Sequence, residues 1–173
     1  MMKKYLFVAV LAVASLAAYA QPRAIGGRVG VFDGFSYQHG FGEENMLELE
    51  FGFDYGAGNS IFKSGVTTTY YAPSLQLAAT YDWIDPFGAK FPWDKKGEWH
   101  WYLGVGGTAG YGWGYVAATG RGGVEYSFWF PLQLSIVWRP ALGVGLVEGA
   151  NKGADAGLYW QMYDFAIGVH YKF

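Results

Sequence analysis

The chain has 173 residues, a net charge of −2 and no cysteine. This excludes a disulfide scaffold and a thiol nucleophile, and the charge gives no hint of nucleic-acid binding. It is 52% hydrophobic and 15% charged, with 27 Gly, 14 Tyr, 13 Phe and 8 Trp, yet past residue 20 no stretch has the roughly 20 apolar residues of a transmembrane helix.

At the start, Lys3 and Lys4 form a positive n-region and Tyr5 to Leu16 an apolar run. Ala18-Tyr19-Ala20 supplies the small residues of a cleavage site. A signal peptide over residues 1–20, cut before Gln21, is expected, because the run is short for a membrane span. The rest, 21–173, has the roughly 150 residues of one domain, and neither repeats nor linkers divide it.

From there, alternation with period two dominates. Ile25, Gly27, Val29 and Val31 oppose Gly26, Arg28 and Gly30, and Phe35 and Tyr37 oppose Ser36 and Gln38. Asp33-Gly34 between these runs reads as a two-residue hairpin turn, or as a bulge inside one long strand that would leave seven strands in all. Leu47, Leu49, Phe51, Phe53 and Tyr55 oppose Glu48, Glu50, Gly52 and Asp54. Leu75, Leu77, Ala79, Tyr81 and Trp83 oppose Ser74, Gln76, Ala78, Thr80 and Asp82. The same alternation runs over Trp99–Gly106, Val124–Phe130, Leu132–Arg139 and Asp164–Phe173.

In each run the larger, greasier residues share one face, while the other is polar, acidic or glycine. A soluble sandwich would point the apolar face inward. A narrow closed barrel in lipid does the reverse, since its interior has little volume and lipid forbids free strand edges. The fold expected is an all-β, closed, antiparallel eight-stranded up-and-down barrel crossing the cell outer membrane. Short turns at Gly42–Asn45 and Phe130-Pro131 face the periplasm in this scheme, and longer loops at Ala57–Pro73, Tyr111–Gly123 and Gly143–Met162 face outward. The long Pro86–Glu98 connection falls on the periplasmic side, either as a structured turn or as a sign that the strand count errs there.

Two segments carry a family resemblance. Tyr163–Phe173 resembles the terminal strand of outer-membrane barrels, with Phe165, Ile167, Val169, Tyr171 and a final Phe173. The resemblance implies recognition by the barrel assembly machinery. Gly123-Val124-Glu125-Tyr126-Ser127-Phe128, followed by Pro131–Pro140, resembles the GxEYxF…PLxLSxDWRP pattern of small Bacteroidetes-type outer-membrane barrels, similar in architecture to the OmpA/OmpX type. Val137 departs from it, standing where the pattern places an Asp; if that Asp pairs with the neighbouring arginine in the family, Arg139 must here be satisfied by another group.

By parity, Arg28, Arg139, Lys172, Glu48, Glu50, Asp54, Asp82, Glu125 and Asp164 point inward, as do His100 and His170. Buried charges must pair. A ladder centred on Arg28 and Arg139, with Glu48, Glu50 and Glu125 as partners, would plug the lumen. Asp54 and Asp82 are expected near the ends, in reach of water. The alternative is a narrow porin-like conduit whose acidic bias favours cations. A third reading is an accessory subunit of a larger envelope complex. Outward Trp83, Trp99, Trp101, Tyr126 and Tyr171 form an expected aromatic girdle on the periplasmic side, with Trp138 toward the other interface.

The Gly143–Met162 loop, with Lys152, Asp155, Tyr159 and Trp160, is the candidate recognition surface, unless its aromatics simply extend a strand. No enzyme activity is expected, because His39, His100 and His170 lack a nucleophile partnered in sequence. No cofactor, metal or nucleic acid is expected either. The expected partners are outer-membrane phospholipid and lipopolysaccharide.

Overall fold

A computed structural model describes residues 23–55, 59–70, 73–85, 96–111, 114–148 and 154–173. The expected signal peptide, Lys152 and most of the Pro86–Glu98 connection lie outside them. Twelve strand segments and no helix occupy the described residues. They are β1 (Arg23–Gly30), β2 (Phe32–Gly40), β3 (Asn45–Asp54), β4 (Asn59–Lys63), β5 (Val66–Tyr70), β6 (Ser74–Ile84), β7 (Gly97–Tyr111), β8 (Tyr115–Phe128), β9 (Leu132–Trp138), β10 (Ala141–Glu148), β11 (Ala154–Gln161) and β12 (Phe165–Lys172).

Eight of these close a ring, β1-β2-β3-β6-β7-β8-β9-β12, in which the first and last strands pair. All pairings are antiparallel, as the alternation requires. The end holding Arg23 and Phe173 is here the terminal end, and the opposite one the distal end. Following cross-strand partners sideways from Arg28 through Gly34, Gly52, Gln76, Gly110, Tyr115 and Gly145 leads to Gly157, whereas Arg28 itself faces Gly168 further along that strand. Once a one-residue bulge is removed, the offset is a shear of about ten residues, which tilts the strands by roughly 40°.

The turn near Asp33-Gly34 is real but displaced. Arg28 still pairs with Gly34, so the hairpin bends around Val31, and Asp33 closes it by accepting from Gly30 N at 2.7 Å. Because this hairpin ends early, β11 finds no β1 beside it. It pairs instead with β4, through Leu158–Phe62, Tyr159–Ile61 and Trp160–Ser60. The Ala57–Pro73 segment is therefore largely the β4–β5 hairpin, which bends across the short β1–β2 hairpin.

Two other expected loops are also corrected. Tyr111–Gly123 is mostly strand, since β7 ends at Tyr111 and β8 begins at Tyr115. Gly143–Met162 holds the end of β10 and all of β11. Strand β10 continues β9 past Pro140, and β12 continues β11 past a bulge. The bulge is visible in the register: from Trp138 to Ala141 the chain advances three residues, while its partner advances four, from Gln161 to Phe165. One extra residue on one strand shifts its side-chain parity. Gln161 and Asp164 thus both point inward.

Candidate functional site

The lumen holds the chemistry. Its central feature is a string of alternating charges. Arg121 on β8 sends Nη1 to Asp82 Oδ2 at 2.5 Å and Nη2 to Glu48. Glu48 also binds Arg28, whose Nε donates at 2.8 Å, and Gln38, whose Nε2 donates at 2.9 Å. Arg28 Nε also lies 3.1 Å from Glu50, and Glu50 meets Arg139 Nη1. Arg139 donates to Asp164 from Nε at 2.8 Å and from Nη2 at 2.7 Å. The order is Asp82–Arg121–Glu48–Arg28–Glu50–Arg139–Asp164, with every member buried.

The local sequence explains the spacing. Glu48 and Glu50 are two apart on β3, so both face inward with a rise of about 7 Å between them. Arg28, two strands away, bridges them. Planar guanidinium forks suit such bridging because each offers several donors at fixed angles. Glycine makes the room. A Cβ on Gly123 would run into the Tyr102 ring, and one on Gly34 would lie 2.7 Å from Phe32 Cζ. Those two rings stack against the guanidinium groups, with Arg121 Cζ 4.6 Å from the Tyr102 centroid and Arg139 Cζ 5.0 Å from that of Phe32.

Distal to the string the lumen is closed by side chains. Tyr115 and Tyr159 stack with centroids 4.2 Å apart and planes at 14°. They pack with Ile61, Ala117 and Ala141. Gln76 links this lid to the string, accepting from Arg139 at 2.9 Å and donating to the Tyr115 hydroxyl at 2.5 Å. Toward the terminal end, Tyr102, Met46 and Val137 form a second apolar cluster. The Val137 departure fits here: a valine packs on Tyr102, and Arg139 takes Glu50, Asp164 and Gln76 as partners.

The expected network residues divide. Arg28, Glu48, Glu50, Arg139 and Asp164 come together. Glu125 stands apart from the arginines and accepts from Gln133 Nε2 at 2.5 Å. Lys172 donates to Ser127 Oγ at 3.2 Å, near the terminal mouth. Asp54 and Asp82 are fully buried, not at watery ends. Arg121 was not expected, because the small residues around it read as a loop.

No family model, curated protein or solved structure matches this chain.

The outer wall carries the expected aromatics. Trp83, Trp99, Trp101, Tyr126 and Tyr171 all face outward near the terminal end, with Trp99 and Tyr126 rings 4.9 Å apart. Trp138 sits elsewhere. It is the fourth of eight outward positions between Leu132 and Leu146, so it lies at mid-height. Its indole Nε1 donates to the carbonyl of Met162, in the bulge, at 2.8 Å. Phe165, Ile167, Val169, Tyr171 and Phe173 line the outer face of the last strand. Of the candidate recognition residues, Tyr159 is inside the lumen and buried, turned there by the bulge, while Trp160 faces outward, half-buried. Asp155 lies in β11, paired in register with Val147.

Proposed function

We propose that this chain is an integral outer-membrane barrel with a structural or interaction role, its lumen plugged by its own side chains. One observation carries the reading. Leu49, Leu77, Leu134 and Ile167 are 44%, 58%, 38% and 58% exposed, whereas Glu48, Gln76 and Arg139 are 0%, 1% and 3% exposed. Monomeric soluble proteins rarely display contiguous apolar surface above a few hundred Å². A wall that is greasy around its whole circuit needs a greasy surrounding.

The ion-pair string and the tyrosine lid support the plugged reading over the narrow channel. Both lie across the axis, and neither leaves a row of solvated charges that would conduct. The resemblance of residues 123–140 and 163–173 to Bacteroidetes-type barrels supports the outer membrane in particular, with phospholipid and lipopolysaccharide around the wall and the assembly machinery as a biogenesis partner. A stable partner in an envelope complex would dock on the wall or the distal hairpins.

The test is extraction and reconstitution. The protein should need detergent to leave the membrane fraction, show heat-modifiable gel migration and give no steady current in planar bilayers. A monodisperse, folded protein in plain buffer would refute the membrane assignment. A steady cation-selective current would replace the plug with the channel.

A further inference from the structure

The outer wall is not evenly filled. A trough of about 640 Å³ crosses it from β1 to β8, a volume usual for a ligand site. Its banks are two neighbouring rows of outward side chains. In one, Ile25 pairs with Tyr37 and Tyr37 with Leu49. In the other, Phe35 pairs with Phe51 and Phe51 with Leu77. The floor is the backbone between the rows, at Ser36, Glu50 and Ala78, whose side chains are buried.

Toward β7 the banks fall to Ala79, Gly107 and Ala109, and Val116 stops the far end. Packing within the chain does not demand this thinning. A Cβ on Gly34 or Gly123 would collide with a ring, but one on Gly107 would meet nothing nearer than Ala117 O at 3.7 Å. A side chain would fit there, and its absence deepens the trough.

The course of the trough selects an occupant. Outward rows two residues apart are separated by about 7 Å, too little for a helix of about 10–12 Å and enough for a single hydrocarbon chain. The closed ring offers no strand edge here for a β partner to extend. Five strand spacings make the trough about 24 Å long. Cross-strand rows climb toward the distal end with the strand tilt, so it rises about 15 Å, half of a ~30 Å hydrocarbon layer. Its low end lies at the aromatic girdle, where Ile25 pairs with Tyr171. It therefore starts at an interface and stops near mid-bilayer, the path of one acyl chain.

The low end is also basic. His39 is the next outward residue on β2, its ring 6.3 Å from that of Tyr37 and 5.0 Å from that of Phe41. Its register partner on β1 is Arg23. The row continues through Leu47, Tyr81 and Val105, with no carboxylate. Basic donors at the mouth of an apolar trough suit a phosphate carried on a hydrocarbon chain.

We propose that the trough seats one acyl chain of a phospholipid from the terminal-side leaflet, with its phosphate at the His39 and Arg23 end. The inference rests on the membrane reading above and adds to it one specifically bound lipid.

The test is native mass spectrometry of the full-length barrel folded in detergent micelles. Palmitoyl-oleoyl phosphatidylglycerol and the diacylglycerol with the same chains are titrated in turn. Phosphatidylglycerol should add as one saturable adduct, and diacylglycerol, without the phosphate, more weakly. Gly107→Leu fills the trough and should bind about tenfold less tightly, the equivalent of two methylenes left unburied. Gly120→Leu, outward on β8 but outside the trough, should bind as the wild type does. Independently of either, His39→Phe with Arg23→Gln should bring phosphatidylglycerol down to the level of diacylglycerol. An unsaturable series of adducts overturns the proposal. So does equal binding by wild type and Gly107→Leu, equal weakening by both leucines, or a phosphate preference that survives the paired change. These outcomes leave the membrane reading standing in a chain that needs detergent, whereas a folded, monodisperse chain in plain buffer overturns both.

Discussion

Arg121 and Glu48 stand seventy-three positions apart in sequence and form a fully buried ion pair across the lumen, joining β8 to β3. Arg121 also pairs with Asp82, so one side chain serves two fully buried carboxylates. Arg121→Met should therefore cost about 3–5 kcal/mol, the penalty of buried charge left without its partner. Urea midpoints in detergent micelles measure it. Adding Asp82→Asn should recover part of the loss, and an unchanged midpoint in the single variant would contradict the pairing.

The glycines beside the interior rings make a steric prediction. Gly123→Val sets a branched side chain against the Tyr102 ring. Overpacking of this kind costs about 1–3 kcal/mol. A second change, Tyr102→Ala, should rescue heat-modifiable migration of the Gly123→Val chain. If Gly123→Val folds as the wild type does, the ring is not held where it is described.

Depth along the wall should be readable from charge insertion. Ile136 lies near mid-height and faces outward, while Trp101 belongs to the terminal-end girdle. Ile136→Arg should cost about 2–4 kcal/mol in vesicles and Trp101→Arg about 1 kcal/mol or less, the gradient found between a bilayer midplane and its interface. Equal, small effects at both sites would show that the wall meets water.

On the plugged reading the ion-pair string and the tyrosine lid each obstruct the lumen, so neither alone should control conductance. Replacing Tyr115 and Tyr159 by Ala removes the lid but leaves the ion pairs. Planar bilayers should record no steady current from that double variant. Adding Arg139→Ala, which unties Glu50 from Asp164, should open a path. A current from the lid variant alone would place the seal wholly in the tyrosines.

Trp138 tests the bulge. Its indole donates to Met162 O at mid-height, where, with the wall in lipid as proposed, no water would replace it. Trp138→Phe keeps the ring and orphans a carbonyl, at about 1–3 kcal/mol. Trp160→Phe, also outward, should cost less. The ratio of their urea midpoints reports whether the bond is present.

Much of this fold was legible because side-chain parity survives wherever one face is large and the other small. Each of the eight ring strands has a stretch where that contrast is strong. It fades where both faces shrink. Ala117, Ala118, Gly120 and Gly122 made the upper half of β8 look like a loop, although Tyr115 and Arg121 lie on the inward parity set by Glu125. Tyr159 failed for another reason. A single extra residue near Met162 flips the faces, and nothing in the local composition marks it. Ion-pair partners were half legible: charge and parity put Arg28, Glu48 and Glu50 in one lumen, but the shear decides which ones share a level.

Ala24 lies opposite Lys172, so the first strand of the ring is covered only when β12 pairs with it. Until β12 emerges, β1 presents an uncovered edge of donors and acceptors, and so does every intermediate sheet. Every other strand of the ring thus precedes, in chain order, the one that seals it. Removing the closing strand should leave a species that aggregates rather than a smaller barrel.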